Sequence, residues 1–356
     1  MIKVAMFHST LPEVGRKVGG VEVVVHRLAN SLSKLDGVEV TVYSLSECPE
    51  GAEYQHKKVF GSLAKVMKRK LPRLFVLPAL LNFVDFDGCD ILHLHGDDWF
   101  FLSGNKKVVR TFYGSAYWES KFATSAKRKF LLGLVYWCEK LSAFLRAHKA
   151  EIGLEEDFKY GSQKRLDCGV ELDGFIESPQ GKTDRVLFIG TWHGRKRGAL
   201  AYKIFCDKIL PKFPNCRLSF IADKLPLEHP NVDFYKNPSD AVVKELFSQA
   251  KVFLYPSAYE GFGVPYIEAM ASRVAIVTSN NPGSRYVLQK GKYGVICGDE
   301  QLGPNVCRLL ENETERLALV EVAAQRSQNF DWTSVAGQHL EFYSSILNSV
   351  KTKKNH

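Results

Sequence analysis

The sequence lacks the features that identify small disulfide-rich proteins and membrane-spanning proteins. Its eight cysteines are scattered without any Cys-x-x-Cys pair, which argues against a zinc ribbon and against a disulfide framework. The longest uncharged apolar stretch, residues 74–84, holds 11 residues, whereas roughly 20 are needed to span a bilayer. The apolar run at the N-terminus is also too short for a signal peptide. We therefore expect a globular cytoplasmic protein with reduced cysteines.

Acidic residues are nearly missing from two segments of the N-terminal half. Residues 57–84 carry seven basic side chains and no acidic one, and residues 120–149 carry seven basic side chains beside Glu139 alone. The net charge of +9 is therefore concentrated in these segments, which indicates a surface that meets something anionic. Apolar residues stand among the cations in both, a pattern typical of docking on an anionic membrane. The alternative is a solvated basic surface that faces an anionic soluble sugar.

The length of 356 residues suggests two domains, each with its own core. Apolar runs alternate with segments of helical periodicity, which predicts an α/β fold with parallel sheets. We predict strands at residues 2–7, 38–44, 90–94, 107–112, 186–189, 217–222, 232–235, 252–255 and 275–279. We predict helices at 21–35, within 113–149, at 198–209, 239–250, 305–329 and 332–350. The domains are placed at 1–176 and 177–335, with linker composition over 177–184 and a C-terminal helix over 336–356.

One apolar stripe in the segment 113–149 recurs at helical spacing. The default interpretation of such a stripe is that it packs in the core. Its members are Phe130, Leu131, Leu134, Val135, Cys138, Leu141, Phe144 and Leu145.

The stretch 252–271, VFLYPSAYEGFGVPYIEAMA, has the pattern of a strand, a glycine-bearing turn and a helix. Glu260 falls in the predicted turn and Glu268 about one turn inside the helix. Free backbone N–H groups at Gly261, Phe262 and Gly263 can hold a phosphate, and carboxylates accept hydrogen bonds from sugar hydroxyls. Together these groups indicate a nucleotide-sugar site, although two isolated carboxylates in such a place are more often solvated surface residues.

A second motif, GTWHGRKRG at 190–198, places three consecutive cations in a glycine-bounded loop between a strand and a helix. Adjacent like charges repel unless an anion or solvent neutralises them, so such a loop can present two of them to a diphosphate. A solvated basic loop is the equal alternative. A third motif, Gly19-Gly20-Val21-Glu22, begins a predicted helix, where glycine permits a close approach of the backbone to phosphate.

These motifs resemble those of the family 4 glycosyltransferases, which are retaining enzymes of the GT-B fold. EGFGVPYIE at 260–268 resembles the family's Glu-x7-Glu element, the loop at 194–198 its Gly-Arg-Lys-Gly element, and residues 19–22 its Gly-Gly-x-Glu. The resemblance implies two Rossmann-like domains that face a central cleft. It further implies that the N-terminal domain binds the acceptor, the C-terminal domain binds the donor, and a C-terminal helix crosses back to the N-terminal domain.

The resemblance also implies roles for individual residues. Glu260 would contact the donor sugar, Glu268 the ribose, and Arg195 with Lys196 the diphosphate; the extra Arg197 leaves open whether these contacts are shifted by one. The implied donor-binding residues are Gly19, Gly20, Gly190, Arg195, Lys196, Glu260, Gly261, Phe262, Gly263, Val264 and Glu268.

One departure from the family pattern affects the acceptor side. Members commonly carry His after the strand predicted at 107–112, where this chain has Tyr113. A phenol is neutral at pH 7 and cannot supply the proton chemistry of an imidazole. The catalytic candidates are therefore Arg195, Lys196, Glu260, His95 and Tyr113, and the acceptor candidates are His95, Asp97, Asp98 and Tyr113.

The sequence thus predicts a retaining glycosyltransferase that moves a sugar from a UDP- or GDP-type donor to a glycan or lipid-linked acceptor. We expect it to act in cell-surface polysaccharide or lipopolysaccharide assembly, as a peripheral protein on the inner face of the plasma membrane. Cations and N–H groups would hold the diphosphate, so neither a metal nor a cofactor is expected, and no nucleic-acid partner is expected. Two alternatives are a nucleotide-sugar epimerase on the same fold and a catalytically silent protein that binds membrane or nucleic acid.

Overall fold

The computed structural model describes residues 1–13, 19–86, 88–102, 107–123, 125–152, 160–175, 181–225 and 227–354. The predicted boundary at 176/177, part of the predicted linker and the last two residues lie outside these ranges. The described chain contains two parallel sheets, each flanked by helices, which confirms the predicted α/β architecture of two Rossmann-like domains.

The first sheet has seven parallel strands in the order β3-β2-β1-β4-β5-β6-β7. The strands are β1 (Ile2–Phe7), β2 (Val38–Ser44), β3 (Gln55–Lys58), β4 (Ile91–Leu94), β5 (Val108–Phe112), β6 (His148–Ile152) and β7 (Lys164–Leu166). β4 and β5 lie at the centre and are buried throughout, whereas β3 lies at the edge and exposes polar side chains. β3 was not predicted because it is short and polar, and a single short strand was expected within residues 151–167, where the structure has the end of β6 and β7.

The second sheet has six parallel strands in the order β10-β9-β8-β11-β12-β13. The strands are β8 (Thr183–Ile189), β9 (Arg217–Ile221), β10 (Val232–Tyr235), β11 (Ala250–Tyr255), β12 (Ala275–Ser279) and β13 (Val295–Cys297). β8 begins at Thr183 and therefore includes the end of the predicted linker. β13 was not predicted.

Thirteen α-helices cover the sheets within the described ranges. In the N-terminal half they are α1 (Gly20–Ser33), α2 (Ala64–Met67), α3 (Lys70–Phe75), α4 (Leu77–Leu80), α5 (Ala116–Lys121) and α6 (Ala126–Leu145). In the C-terminal half they are α7 (Gly198–Ile204), α8 (Asp240–Gln249), α9 (Val264–Ala271), α10 (Pro282–Val287), α11 (Asp299–Glu311), α12 (Glu313–Ser327) and α13 (Trp332–Lys354). A π-turn, Phe205–Ile209, continues α7.

The expectation that the apolar stripe of α6 packs in the core is wrong. None of its eight residues is buried, and Phe130 and Phe144 are 71% and 85% exposed. The buried side chains of the helix are instead Ser142 and Ala143. The stripe failed as a core predictor because apolar periodicity identifies a face of a helix but not whether the fold covers that face.

The long helix α13 crosses back to the first sheet, as the resemblance implied. Tyr343 and His339 of α13 are buried against His93 of β4, and the Tyr343 hydroxyl lies 2.6 Å from Nδ1 of His93. Gln338 donates a hydrogen bond to Asp167 across 3.0 Å. Residues of both sheets and of α13 therefore belong to one hydrophobic cluster.

Candidate active site

Glu260 lies in the loop between β11 and α9 and is surrounded by hydrogen-bond donors. Lys196 Nζ stands 2.6 Å from its Oε1, and Arg195 Nη1 stands 2.8 Å from its Oε2. The hydroxyls of Tyr255 and Ser257 donate to the same Oε1 across 2.9 and 2.6 Å. Strand β11 supplies Tyr255, so the predicted carboxylate and the predicted cations meet at the carboxyl end of the second sheet.

These contacts keep Glu260 ionised although it is buried. Burial alone raises the pKa of a carboxyl, but Lys196 and Arg195 outweigh that effect and hold the pKa of Glu260 below its ordinary value. Burial also lowers the pKa of Lys196, and the proximity of Glu260 opposes this change. The site is therefore a pre-formed cluster of one anion and two cations.

Arg197 does not share in this cluster. Its backbone is left-handed with φ of 54°, and its guanidinium forms two hydrogen bonds with Asp299, of 2.7 and 2.9 Å. It also donates to the Pro256 carbonyl and to Ser279 Oγ. The side chains that face Glu260 are thus those of Arg195 and Lys196, as the unshifted motif predicts.

The glycine turn before α9 brings the backbone close to its neighbours. Gly263 has φ of 95°, and a methyl group on it would meet the Tyr266 ring at 2.4 Å. In the described chain the N–H groups of Gly261, Phe262 and Gly263 form no hydrogen bond, and the Phe262 side chain is buried against Phe330. The turn therefore leaves donors free at the start of α9, where half-buried Val264 begins the helix.

Two further predicted donor residues flank this turn. Glu268 lies in the second turn of α9 and is half-buried, and burial followed by the charge of Asp240 raises its pKa to about 7. Gly190 directly follows β8, and a methyl group on it would meet Lys196 Cβ at 2.7 Å. Gly190 thus permits the approach of the Lys196 stem to the strand.

A cavity of about 400 Å³ lies at the carboxyl end of the first sheet. Gly19 and Gly20 at the start of α1 line it, and a methyl group on Gly20 would meet no atom within 4 Å. Gly261 of the donor loop lies beside the mouth, since a methyl group on it would stand 3.4 Å from the Tyr113 carbonyl oxygen. The cavity and the Glu260 cluster therefore meet at the end of β5.

His95 and Tyr113 line this cavity and contact each other. Nδ1 of His95 and the Tyr113 hydroxyl lie 2.5 Å apart. Burial, followed by the proximity of His93, holds the pKa of His95 well below its ordinary value, and burial raises the pKa of Tyr113. Both side chains are consequently neutral at pH 7.

Asp97 and Asp98 differ in their surroundings although they are neighbours in sequence. Asp97 lines the cavity, with its Oδ2 3.7 Å from Nε of Arg73. Asp98 is fully buried, paired with Arg110 across 2.8 Å and hydrogen-bonded to Ser142 across 2.9 Å. The carboxylate of Asp98 therefore holds α6 to the sheet, and its proposed contact with the acceptor does not fit this structure.

Two residues of the site were not predicted from the sequence. Tyr259 stacks between Trp118 and Phe122 of the N-terminal half, with ring centroids 6.1 Å from each. Glu139 of α6 lines the cavity of the first sheet. The signal for Glu139 was its position as the sole acid in a basic segment.

The arrangement places two cations and free N–H groups beside a buried carboxylate, opposite a polar cavity. Such a set can neutralise a departing diphosphate and orient a sugar. Among the residues that the structure describes, no group of three His, Cys, Asp or Glu side chains could hold a metal ion. No helix in the described part of the chain is long and apolar enough to cross a membrane.

Two family models match the chain in the two halves that form the site. Residues 18–149 match the family described as Glycosyltransferase Family 4, and residues 215–326 match the family described as Glycosyl transferases group 1. The first match includes every residue that lines the cavity except His8 and Ser9, and the second includes both Glu260 and Glu268.

Named mannosyltransferases are similar to nearly all of the chain in one case and to about half of it in another. It is 24% identical over 374 residues to a GDP-mannose:cellobiosyl-diphosphopolyprenol alpha-mannosyltransferase of Komagataeibacter xylinus, which covers 95% of this chain and 92% of the relative. It is 26% identical over 204 residues to a phosphatidyl-myo-inositol mannosyltransferase of Mycobacterium tuberculosis, covering 51% of this chain and 53% of the relative.

Solved structures share the two-domain architecture. Sucrose-phosphate synthase from Thermosynechococcus elongatus has a TM-score of 0.73 at 17% identity, over 98% of this chain and 100% of that one. Anabaena HepE in complex with UDP and glucose has a TM-score of 0.69 at 14% identity, over 97% and 100% of the two chains. These likenesses confirm the fold.

Proposed function

Because this chain belongs to the family 4 glycosyltransferases and has the GT-B fold, we propose that it transfers a hexose from a nucleotide-diphosphate sugar to a hydroxyl of a lipid-linked sugar, with retention of configuration. The observation that carries the proposal is the cluster of Arg195, Lys196 and Glu260 beside the free N–H groups of the α9 turn. The relatives that cover most of the chain use GDP-mannose and a diphosphopolyprenol acceptor, which supports a donor of the GDP type. The proposed setting is the assembly of a cell-surface polysaccharide.

The cluster suggests how the reaction proceeds. Charge develops on the diphosphate as the bond to the anomeric carbon breaks, and Arg195 with Lys196 would neutralise it. Glu260 already accepts four hydrogen bonds or ion pairs, so it suits the orientation of these cations and of a sugar hydroxyl better than it suits nucleophilic attack. We therefore propose attack from the face that the diphosphate leaves, with a phosphate oxygen accepting the proton of the acceptor hydroxyl.

A lipid-linked acceptor requires access to a membrane, and the outer face of α6 supports this. Phe130, Trp137 and Phe144 stand seven residues apart on one stripe and are 71%, 71% and 85% exposed. Lys127, Arg128 and Lys129 at the start of the helix are also exposed. Exposed aromatics beside cations match the chemistry of an anionic bilayer surface, so we propose that the enzyme works as a peripheral protein on the cytoplasmic leaflet.

A thermal-shift screen of nucleotides and nucleotide sugars tests the donor. We expect GDP-mannose or another nucleotide-diphosphate hexose to raise the melting temperature of the wild type, and Lys196→Ala to abolish the rise. Product analysis with the stabilising donor then separates transfer from other chemistry. Turnover of the donor to an epimer without any acceptor would contradict the transferase proposal, and a failure of every nucleotide to bind would contradict the donor site.

Liposome flotation tests the membrane surface. We expect the wild type to float with vesicles that contain phosphatidylglycerol, and the pair Trp137→Ser and Phe144→Ser to stay in solution. The matched control is the pair Leu317→Ser and Val322→Ser on α12, which removes exposed apolar side chains from the other domain. Equal flotation of the α6 pair and the wild type would overturn the assignment of this surface.

A further inference from the structure

The inner face of α6 carries an acidic side chain that the proposed reaction does not yet use. While the outer face presents Trp137 and Phe144, Glu139 lies on the side of the helix that lines the cavity of the first domain. It is the sole acidic residue between positions 120 and 149. An acidic side chain on the inner face of a basic helix can form a hydrogen bond with a ligand inside the cavity.

The two carboxylate oxygens of Glu139 have different surroundings. Oε2 accepts hydrogen bonds from the Tyr160 hydroxyl and, across 3.2 Å, from the Ala116 N–H. Oε1 accepts no hydrogen bond from any described residue. The two donors to Oε2 fix the orientation of the carboxyl group, and because burial raises the pKa of Glu139 to about 7, Oε1 is a pre-positioned acceptor above that pH.

A second unpartnered group belongs to the same cavity. His95 is 2% exposed and lines it, and its Nε2 has no hydrogen-bond partner in the described chain. A buried polar atom without a partner costs free energy, and a ligand that supplies the missing hydrogen bond would recover part of it. Glu139 Oε1 and His95 Nε2 are thus two groups of cavity-lining residues without a hydrogen-bond partner in the described part of the chain.

The charges around the cavity restrict what those partners can be. Four carboxylates line it, those of Glu22, Asp97, Glu119 and Glu139, against the two guanidiniums of Arg73 and Arg110. Arg110 is already paired with the buried Asp98 across 2.8 Å. Because carboxyl groups outnumber cations among these side chains, they favour hydroxyl groups, which can donate hydrogen bonds to them, over an anionic substituent on the sugar ring.

We infer that this cavity binds an uncharged sugar ring of the acceptor, with Oε1 of Glu139 accepting a hydrogen bond from one of its hydroxyls. The inference rests on the proposed function and names the chemical class of its acceptor. Glu139 is a specificity-determining residue in this role. Any phosphate of a lipid carrier then stays outside the cavity, toward the basic surfaces.

Glu139→Gln distinguishes recognition from a purely structural role. The amide oxygen of glutamine can still accept from Tyr160 and Ala116, so the support of α5 and α6 is kept. The amide nitrogen replaces Oε1 and turns an acceptor into a donor. Glu228→Gln is the matched control, because Glu228 is exposed on the other domain.

Ligand-observed saturation-transfer NMR of the full chain, with GDP or UDP present to fill the donor site, provides the measurement. The probes are matched pairs of methyl glycosides, in which methyl glucoside, galactoside and mannoside are compared with their uronic acid counterparts. We expect at least one neutral glycoside to bind at millimolar concentration and its uronate to bind at least tenfold more weakly. Glu139→Gln should weaken the neutral glycoside at least tenfold, and Glu228→Gln should leave it unchanged.

Three results would overturn the inference: no neutral glycoside binds, a uronate binds as well as its neutral partner, or Glu139→Gln binds as the wild type does. The nucleotide thermal shift of the same samples is the reference. If the nucleotide raises the melting temperature as expected, any of the three results rejects only the proposed acceptor class. If the shift is absent from the wild type, the proposed function itself has failed.

Discussion

Lys196 and Arg197 are adjacent cations whose side chains make different contacts. Lys196 faces Glu260 across 2.6 Å, and Arg197 ties its loop to Asp299 in α11. The first contact lies where the donor diphosphate would be held, and the second lies outside the cluster. The two side chains can therefore be separated by experiment, although they carry the same charge.

We predict that Lys196→Ala lowers kcat by about 100- to 1000-fold, since one charged donor to a developing oxyanion has about that effect. Its melting temperature should fall less than that of Arg197→Ala, because Arg195 still pairs with Glu260 across 2.8 Å. Arg197→Ala should have the reverse profile, with a lower melting temperature and a smaller loss in kcat. Steady-state kinetics and thermal unfolding of both variants check this, and identical profiles would contradict it.

Glu268 supplies a prediction of pH dependence. Its pKa is raised to about 7, so it is largely protonated below that pH and ionised above it. A carboxylate accepts hydrogen bonds from ribose hydroxyls better than a neutral carboxyl does, so the affinity for the donor nucleotide should rise between pH 6 and 8. Calorimetric titration at several pH values measures this rise. Glu268→Gln should flatten it, and an unchanged slope in that variant would assign the effect to another group.

Sequence reasoning at this scale found the residues of the donor loop but not the partners of each. Glu260 and Lys196 are separated by 64 residues, yet their motifs could be related through the family resemblance. The pairing of Arg197 with Asp299, 102 residues away, has no local signal. The burial of Asp98 had no local signal in the sequence either, because this burial depends on two arginines that contact Asp98, one from β5 and one from the end of α6.

At the scale of elements, the turn before α9 depends on a single glycine. Gly263 combines a positive φ with a close approach to the Tyr266 ring, whereas Gly291 has φ of 104° and open space around it. A strained backbone is expected to lower the free energy of unfolding by roughly 1–3 kcal/mol. Gly291→Ala should lower it by about that amount, and Gly263→Ala should lower it by more. Urea unfolding gives both values. A smaller cost at Gly263 than at Gly291 would mean that the α9 turn adapts to the methyl group.

The elements themselves were predicted where their pattern was strong. The buried central strands β4, β5 and β11 are mostly apolar, and each prediction lies within two residues of the observed ends. The polar strand β3 and the three-residue strands β7 and β13 depend on pairing with a neighbour, which a single sequence does not display. For α6 the helix was predicted and its environment was not, because an outward apolar face looks the same as an inward one.

At the scale of the whole molecule, helix α13 joins the second domain to the core of the first. Tyr343 and Ile346 are buried in the cluster that also contains Val25 of α1 and Tyr255 of β11. Since one cluster spans both sheets, we expect the two domains to unfold in one cooperative transition. Three histidines lie where α13 meets the first sheet, and this makes the junction sensitive to acid.

His339 of α13 allows that sensitivity to be measured. Burial lowers its pKa from 6.5 to about 4, and burial also lowers the pKa of His93, whose ring is 5.9 Å away, and of His95. A histidine with a depressed pKa in the folded state binds protons more tightly when unfolded, so stability is full above pH 6.5 and falls as the pH drops toward 4. When the pH is lowered from 7.5 to 5, the free energy of unfolding of His339→Leu should therefore fall by about 2 kcal/mol less than that of the wild type. Urea unfolding at the two pH values gives this difference directly, and because carboxyls that titrate in the same range contribute equally to both proteins, their effect cancels. Equal losses would show that α13 is held to the first sheet independently of the charge on its histidine.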